Sequence, residues 1–228
     1  MTTARRLTDW LGRLAGLLPD PLPDDPVPLL NDWMTEATAA AATPNPNAMV
    51  LSTVRDGAPA GRVVLCKSID LERGALVFFT NGQSPKGREI ERAPRVAATF
   101  HWDHAGRQAR VEGEAGPVDA SESDAYFASR PLLSRLGAWA SEQSEPLERR
   151  GDLVRSLAAV MRRFDVGVTD LAAERSGVVI PRPPHWGGYR IVATKLELWV
   201  SVRGRLHDRA CWARDAPDRP WSGTRLQP

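Results

Sequence analysis

From residue 48 onward, hydrophobic positions fall in short runs separated by turn residues. The runs AMVLSTV, RVVLCKS, ALVFFT, RVAATFHW and RQARVEGEA have the length and the β-branched or aromatic content of strands. Polar and small or apolar residues alternate from Gln108 to Gly113, which is the period of a strand with one solvated face. The pattern returns in YRIVATKLELWVSV, around RLHDRACWA and near residues 221–226. It predicts an antiparallel barrel or sandwich.

Helical patterns flank these strands. Residues 1–47 hold one candidate helix around residues 29–42 and a short amphipathic one, whose apolar residues are Trp10, Leu11, Leu14, Leu17 and Leu18. The Pro-rich segments PDPLPDDPVP and PNPN in this region interrupt helices and predict turns. Helices are also predicted in PKGREIERA, in AYFASR and over residues 147–164. We therefore predict a mainly β fold with flanking helices (α+β), formed by a helical, Pro-rich segment over residues 1–45 and one domain over 46–228.

Composition narrows the class of protein. The chain has 228 residues, of which 42% are hydrophobic and 25% charged, in the range of ordinary globular proteins, so fibrous and disordered classes are excluded. Cys66 and Cys211 are too far apart in sequence for a CxxC pair, which favours a reducing compartment. No apolar stretch reaches membrane-spanning length, so we expect a cytoplasmic protein without membrane contact.

Several functions lose support because their motifs are missing. The sequence contains no GxGxxG, no GK[ST], no HExxH and no GxSxG. His101, His104 and His185 lack ligand partners at suitable spacing, so no metal site is predicted. Residues 48–228 carry 27 basic and 22 acidic residues, a surplus that suits a small anionic ligand or nucleic acid. The basic residues do not interleave with aromatic ones, which argues against nucleic acid.

The segment Arg205-Leu206-His207-Asp208-Arg209 is the first candidate site. On a strand, Arg205, His207 and Arg209 would project from one face and repel one another unless an anion lay between them. A solvated edge strand is the alternative interpretation.

The second candidate site is Tyr126-x-x-x-Arg130-Pro-x-x-Ser134. Tyr126 and Arg130 are one helical turn apart, and a phenol, a guanidinium and a hydroxyl could together grip a phosphate. Spacing alone favours a surface pair and a loop serine instead.

Two further cationic segments could bind an anion. Ser84 and Pro85 predict a helix N-terminus whose free N–H groups and Lys86 ammonium attract anions, although most such termini bind only water. Arg62 and Lys67 flank an apolar run, and they could serve one site only if a bulge or a strand end intervenes. A buried strand with charged ends is the alternative. Amides and hydroxyls that could bind a heterocycle, and an indole that could cover it, are Gln108, Gln143, Ser144 and Trp199.

Together these segments resemble the pyridoxamine 5′-phosphate oxidase family over residues 46–228. The resemblance is carried, in family order, by PNAMVLSTV, RVVLCK, VFFTN with Lys86, RQARVEG, YFASRPLLSRLGAWASEQS, WGGYR, LELW, RLHDR and RLQP. It implies an antiparallel FMN-binding split β-barrel, normally a homodimer with flavin at the interface.

The resemblance also implies a role for each candidate residue. The flavin phosphate and ribityl chain would be bound by Arg62, Lys67, Thr80, Ser84 and Lys86. The flavin ring system would be bound by Gln108, Gln143, Ser144, Trp199 and Arg209. The substrate phosphate would be bound by Lys67, Tyr126, Arg130 and Ser134, and Arg205 and His207 would orient and polarise the pyridine ring as the catalytic pair.

The activity implied is oxidation of pyridoxamine or pyridoxine 5′-phosphate to pyridoxal 5′-phosphate. A hydride would leave C4′ for the flavin, and O₂ would restore the flavin and yield H₂O₂. A related FMN-dependent oxidase of a phenazine-type secondary pathway is the alternative. It is favoured by the segment 200–204, VSVRG, where the family usually has Gln-Gly after the tryptophan, and by residues 1–30, which lack the basic, tyrosine-containing segment of well-studied members. Pro85 stands where many members have a phosphate-binding arginine, and this difference is expected to weaken FMN binding.

Overall fold

Each of the strand-like runs contains a strand. The computed structural model describes residues 16–172 and 178–228. The strands are β1 (Ala48–Arg55), β2 (Ala58–Asp70), β3 (Ala75–Asn81), β4 (Arg95–Trp102), β5 (Arg107–Pro117), β6 (Trp186–Val200), β7 (Asp208–Ala213) and β8 (Ser222–Leu226). The helices are α1 (Val27–Ala40), α2 (Pro85–Arg92), α3 (Ala120–Ser129), α4 (Leu132–Ala140), α5 (Arg150–Arg163) and α6 (Val168–Ala172).

The strands form one sheet in the order β3-β2-β1-β4-β5-β6-β7-β8. An additional pairing of β3 with β6 closes six strands into an antiparallel barrel and leaves β7 and β8 as an extension. The β1–β2 hairpin illustrates how local sequence sets register, because Asp56 and Gly57 both have positive φ, 50° and 81°, and Arg55 pairs with Ala58. A two-residue Asp-Gly loop is the preferred connection for such a hairpin. The predicted split-barrel fold is confirmed.

The chain divides into two compact units. Among the described residues, the first contains 16–78, 94–115 and 190–228, and its core includes the fully buried Leu51, Phe100, Leu198 and Trp212. The second contains residues 79–93, 116–172 and 178–189, and its core is formed by Phe127, Leu132, Leu136, Val166, Ile180 and Trp186. The predicted boundary between residues 45 and 46 stays a prediction.

The N-terminal segment matches its predicted helices in part. The helix expected around residues 29–42 is α1, which begins after Pro26 and ends where Ala41 takes a left-handed φ of 47°. Of the short amphipathic helix, Trp10, Leu11 and Leu14 lie outside the described residues, and Leu17 and Leu18 are not helical. In the part of the chain that the structure describes, no helix is both long and apolar enough to cross a bilayer.

Candidate functional site

Four of the predicted cofactor residues meet in one hydrogen-bonded cluster of the second unit. The Lys86 ammonium, on the first turn of α2, is buried and donates to Thr80 Oγ1 at 3.1 Å, to Ser84 Oγ at 2.9 Å and to Gln143 Oε1 at 2.7 Å. The Thr80 hydroxyl also donates to Gln143 Oε1 at 3.1 Å. An ammonium, two hydroxyls and a helix N-terminus are the donor set that phosphate oxygens require.

A close backbone approach holds this cluster together. A Cβ atom added at Gly87 would lie 2.0 Å from the carbonyl oxygen of Gly82, so only glycine lets the first turn of α2 lie against the preceding turn. Ser84 is the N-cap residue, as predicted, but its hydroxyl makes no capping bond. It donates instead to the carbonyl of Asn81 at 2.7 Å and accepts from Lys86. The Ser84 side chain therefore contacts the Lys86 ammonium instead of the free N–H groups of the helix.

Tyr126 and Arg130 lie against aromatic rings in the same unit. Tyr126 stacks on Phe79 with ring centroids 4.0 Å apart, and the Arg130 guanidinium lies 4.7 Å from the Trp186 centroid. Arg130 leaves α3 in extended conformation because Pro131 follows it. Its Nη1 atom is buried and has no hydrogen-bond partner among the described residues. Burial lowers the pKa of Arg130, and Tyr126 opposes this shift.

Ser134 and Ser144 belong to the same unit. Ser134 is half-buried in the first turn of α4. Ser144 is exposed, follows Gln143 directly, and has a φ of 73°, which is uncommon for a residue other than glycine.

In the first unit, three predicted ring-binding residues share one face of the sheet. Trp199 of β6 pairs with Arg209 of β7, so their side chains point to the same side. Glu197 lies two residues before Trp199 and therefore shares its face, and Arg110 of β5 donates to Glu197. Because Gln108 lies two residues before Arg110, the Gln108 side chain points to the same face. Three segments distant in sequence thus supply Gln108, Trp199 and Arg209 to one surface.

Glu197 is a member of this face that the sequence analysis missed. Its carboxylate is 5% exposed and accepts from Arg209 Nη2 at 2.6 Å and from Arg110 Nη2 at 2.8 Å. The available signal was a single acidic residue inside the apolar run LELW, a residue type that is rarely buried unless it is paired.

The RLHDR segment departs from its predicted conformation. Arg205 belongs to a 3₁₀ turn, Arg203–Arg205, and β7 begins only at Asp208. The hypothesis that Arg205, His207 and Arg209 project from one strand face is therefore wrong. The reason is local, because Gly204 and Arg205 have φ values of 70° and 61°, which end the ladder there.

His207 is held by backbone and by an aromatic ring. Its Nδ1 accepts from the Val202 N–H at 3.2 Å, and its ring lies 4.5 Å from that of Trp199. Since Nδ1 is an acceptor here, the geometry assigns the proton of the neutral imidazole to Nε2. The Nε2–H group is thus the donor that His207 offers. Arg205 is exposed.

Arg62 and Lys67 lie on β2 in the first unit. Arg62 donates to the carbonyl of Leu51 at 3.2 Å and to Thr53 Oγ1. The register between β2 and β3 shifts between Cys66 and Ser68, so a bulge occurs at Lys67, which is exposed. The bulge required for both cations to serve one site is therefore present.

The closed six-stranded barrel assigns the chain to the split-barrel class of proteins. A family model described as pyridoxamine 5′-phosphate oxidase matches residues 34–161, and one described as pyridoxine 5′-phosphate oxidase C-terminal dimerisation region matches residues 186–228. The chain belongs to the pyridoxamine 5′-phosphate oxidase family.

Relatives named pyridoxine/pyridoxamine 5′-phosphate oxidase are similar along nearly their whole length. The protein of Rubrobacter xylanophilus is 49% identical over 215 residues, covering 94% of this chain and 92% of the relative. That of Burkholderia lata is 48% identical over 206 residues, covering 90% and 89%.

Solved structures show the same fold. PhzG from Burkholderia lata 383, in complex with tetrahydrophenazine-1-carboxylic acid, has a TM-score of 0.79 at 32% identity and covers 92% of this chain and 95% of its own. A pyridoxamine 5′-phosphate oxidase-related, FMN binding protein from Nostoc punctiforme has a TM-score of 0.66 at 15% identity, covering 88% and 96%, and supports the fold alone.

Proposed function

We propose that this protein is an FMN-dependent oxidase that converts pyridoxamine or pyridoxine 5′-phosphate to pyridoxal 5′-phosphate, with O₂ as acceptor and H₂O₂ as product. The observation that carries the proposal is the buried Nη1 of Arg130, which has no hydrogen-bond partner among the described residues. A buried donor without a partner is costly, and a phosphate oxygen would satisfy it. Tyr126 and Ser134, which belong to the same unit, complete the proposed phosphate site.

The residues present fit FMN. Lys86 supplies a buried positive charge at the N-terminus of α2 for the flavin phosphate, and Thr80 and Ser84 hold its ammonium in place. Gln108, Trp199 and Arg209, which share one sheet face of the first unit, offer an amide, an indole and a guanidinium for the ring system. When bound, FMN supplies the two-electron chemistry that oxidises C4′ and reduces O₂.

The protein's own residues orient the substrate. The Nε2–H of His207 donates to the pyridine substituents, and its ring is held in one orientation by the Val202 N–H and by Trp199. Arg205 adds positive charge and polarises the ring. Neither residue serves as an obligatory base in this mechanism, because holding C4′ in a reactive geometry is itself a large part of catalysis.

We also propose that the protein is a cytoplasmic homodimer with FMN at its interface. The support is the match of residues 186–228 to a region described by its role in dimerisation.

Anaerobic mixing tests the proposed reaction directly. FMN-reconstituted protein is mixed with pyridoxine 5′-phosphate, and the flavin absorbance is expected to bleach and then recover with stoichiometric H₂O₂ when air is admitted. Unphosphorylated pyridoxine is the control and should bleach the flavin far more slowly at equal concentration. A flavin that stays oxidised with both pyridoxine and pyridoxamine 5′-phosphates would contradict the proposal.

A phenazine-type oxidase is the second candidate. The structural similarity to PhzG favours it, and so does the turn at Gly204 within the divergent 200–204 segment. The relative from Burkholderia lata named pyridoxine/pyridoxamine 5′-phosphate oxidase is, however, 48% identical, against 32% for PhzG from the same species. Bleaching by a reduced phenazine carboxylate, without bleaching by the phosphorylated vitamers, would select this candidate.

A further inference from the structure

Glu197 lies between two arginines on the sheet face that carries Gln108, Trp199 and Arg209. Oε1 accepts from Arg209 Nε at 3.1 Å and from Arg209 Nη2 at 2.6 Å, and Oε2 accepts from Arg110 Nη2 at 2.8 Å. The side chain is 5% exposed. One carboxylate therefore holds two guanidinium groups that would otherwise repel each other.

These contacts fix the orientation of Arg209. A guanidinium has five N–H groups in a planar fork, and Glu197 binds the edge formed by Nε and Nη2. On the other side, Nη1 donates to the carbonyl of Gln227 at 3.3 Å. Among the described residues, these bonds use three of the five donors and leave one N–H on each terminal nitrogen for a ligand.

We infer that Glu197 is a positioning residue that holds the Arg209 guanidinium in the orientation that binds FMN. The inference rests on the proposed function, which assigns Arg209 to the flavin ring system. Preorganisation is the physical reason, because a guanidinium that already donates two N–H groups to one carboxylate oxygen loses less freedom on binding. Without the Glu197 carboxylate, Arg209 would keep its positive charge, but its guanidinium would no longer be held in this orientation.

A double-mutant cycle tests the inference. The Kd of FMN is measured by quenching of flavin fluorescence for the wild type, Glu197→Gln, Arg209→Ala and the double variant, with thermal unfolding of each as a check on folding. Glu112→Gln is the matched control, because this substitution removes the same charge from the same face. Glu112 pairs with Arg110 at 3.3 Å and with Lys195 at 3.5 Å.

We expect Glu197→Gln to weaken FMN binding about tenfold, the effect of one charge-assisted hydrogen bond, and Glu112→Gln to leave the Kd within about twofold. In the Arg209→Ala background, Glu197→Gln should have no further effect. Additive losses, or equal losses in the two glutamate variants, would overturn the inference while the proposed function stands. Wild-type FMN binding by Arg209→Ala would overturn both the assignment of Arg209 and the role of Glu197.

Arg209→Lys serves if Glu197→Gln does not fold. It keeps the charge beside Glu197 but lacks the fork, so we expect FMN binding to weaken about tenfold here too. A wild-type Kd in Arg209→Lys would show that charge alone suffices and would overturn the positioning role.

Discussion

The guanidinium carbon of Arg130 lies 4.7 Å from the ring centroid of Trp186. The indole covers one face of the cation, and burial lowers its pKa, yet an arginine stays protonated at neutral pH. Because its Nη1 is buried without a hydrogen-bond partner in the described part of the chain, the charge is held ready for an anion. This relationship links the packing of the second unit to its proposed substrate.

Arg130→Lys should raise the KM for pyridoxine 5′-phosphate about tenfold to a hundredfold and change kcat much less. Lysine keeps the charge but cannot reproduce the guanidinium's contact with both the ring and a phosphate. The measurement is steady-state H₂O₂ formation against substrate concentration. Arg163→Lys is the matched control, since Arg163 lies 4.5 Å over Trp139 in the same unit and should leave KM unchanged. Equal effects of the two substitutions would contradict the phosphate role.

His207→Phe should lower kcat/KM about tenfold to a hundredfold and change the FMN Kd less than about threefold. Phenylalanine keeps the ring against Trp199, at 4.5 Å in the wild type, but removes the Nδ1 acceptor and the Nε2–H donor. His104→Phe, at an exposed histidine of the same unit, is the control and should behave as the wild type. A long-range ¹H–¹⁵N spectrum at pH 8 should show His207 protonated at Nε2. Protonation at Nδ1 would rule out the assigned tautomer.

The strands were predictable because their signal is local. Alternation from Gln108 to Gly113 and the Asp56-Gly57 loop each specify a strand or hairpin within a few residues. The start of α2 at Pro85 was also predictable from local sequence, because proline is common in the first turn of a helix. This helix start positions Lys86 beside Thr80 and Ser84.

The features that could not be predicted from the sequence depend mostly on contacts between distant segments. Glu197 meets Arg110 through a pairing of β5 with β6, and no spacing within LELW reveals that partner. The turn at Arg205 was missed because an Arg-Leu-His-Asp-Arg run has strand-like alternation, whereas the positive φ at Gly204 ends the strand pattern. The roles of the site residues came from the family resemblance, since spacing alone left the anion-binding clusters open.

Gly87→Ala should destabilise the protein by about 1–3 kcal/mol or more, since its Cβ would lie 2.0 Å from the Gly82 carbonyl oxygen. The displaced first turn of α2 carries Lys86, so FMN binding should weaken as well. Gly137→Ala is the matched control in α4, where an added Cβ meets nothing within 4 Å. There alanine should stabilise by about 0.5–1 kcal/mol. Urea unfolding measures both, and equal stabilities of the two variants would contradict the close approach of Gly87 to Gly82.

The thiol of Cys66 should make the protein less stable as the pH rises above 9. Burial raises the pKa of this 3% exposed thiol to about 12, from an ordinary value of 9.0. Between those values the unfolded chain releases the proton while the folded chain keeps it, so stability is full below pH 9 and is lost as the pH rises toward 12. Urea unfolding at pH 8 and 10.5 should show that the wild type loses about 1–2 kcal/mol more than Cys66→Ala, which lacks the group. Both proteins keep Cys211 and every other titrating group, so an equal loss in the two would show that Cys66 does not carry the effect.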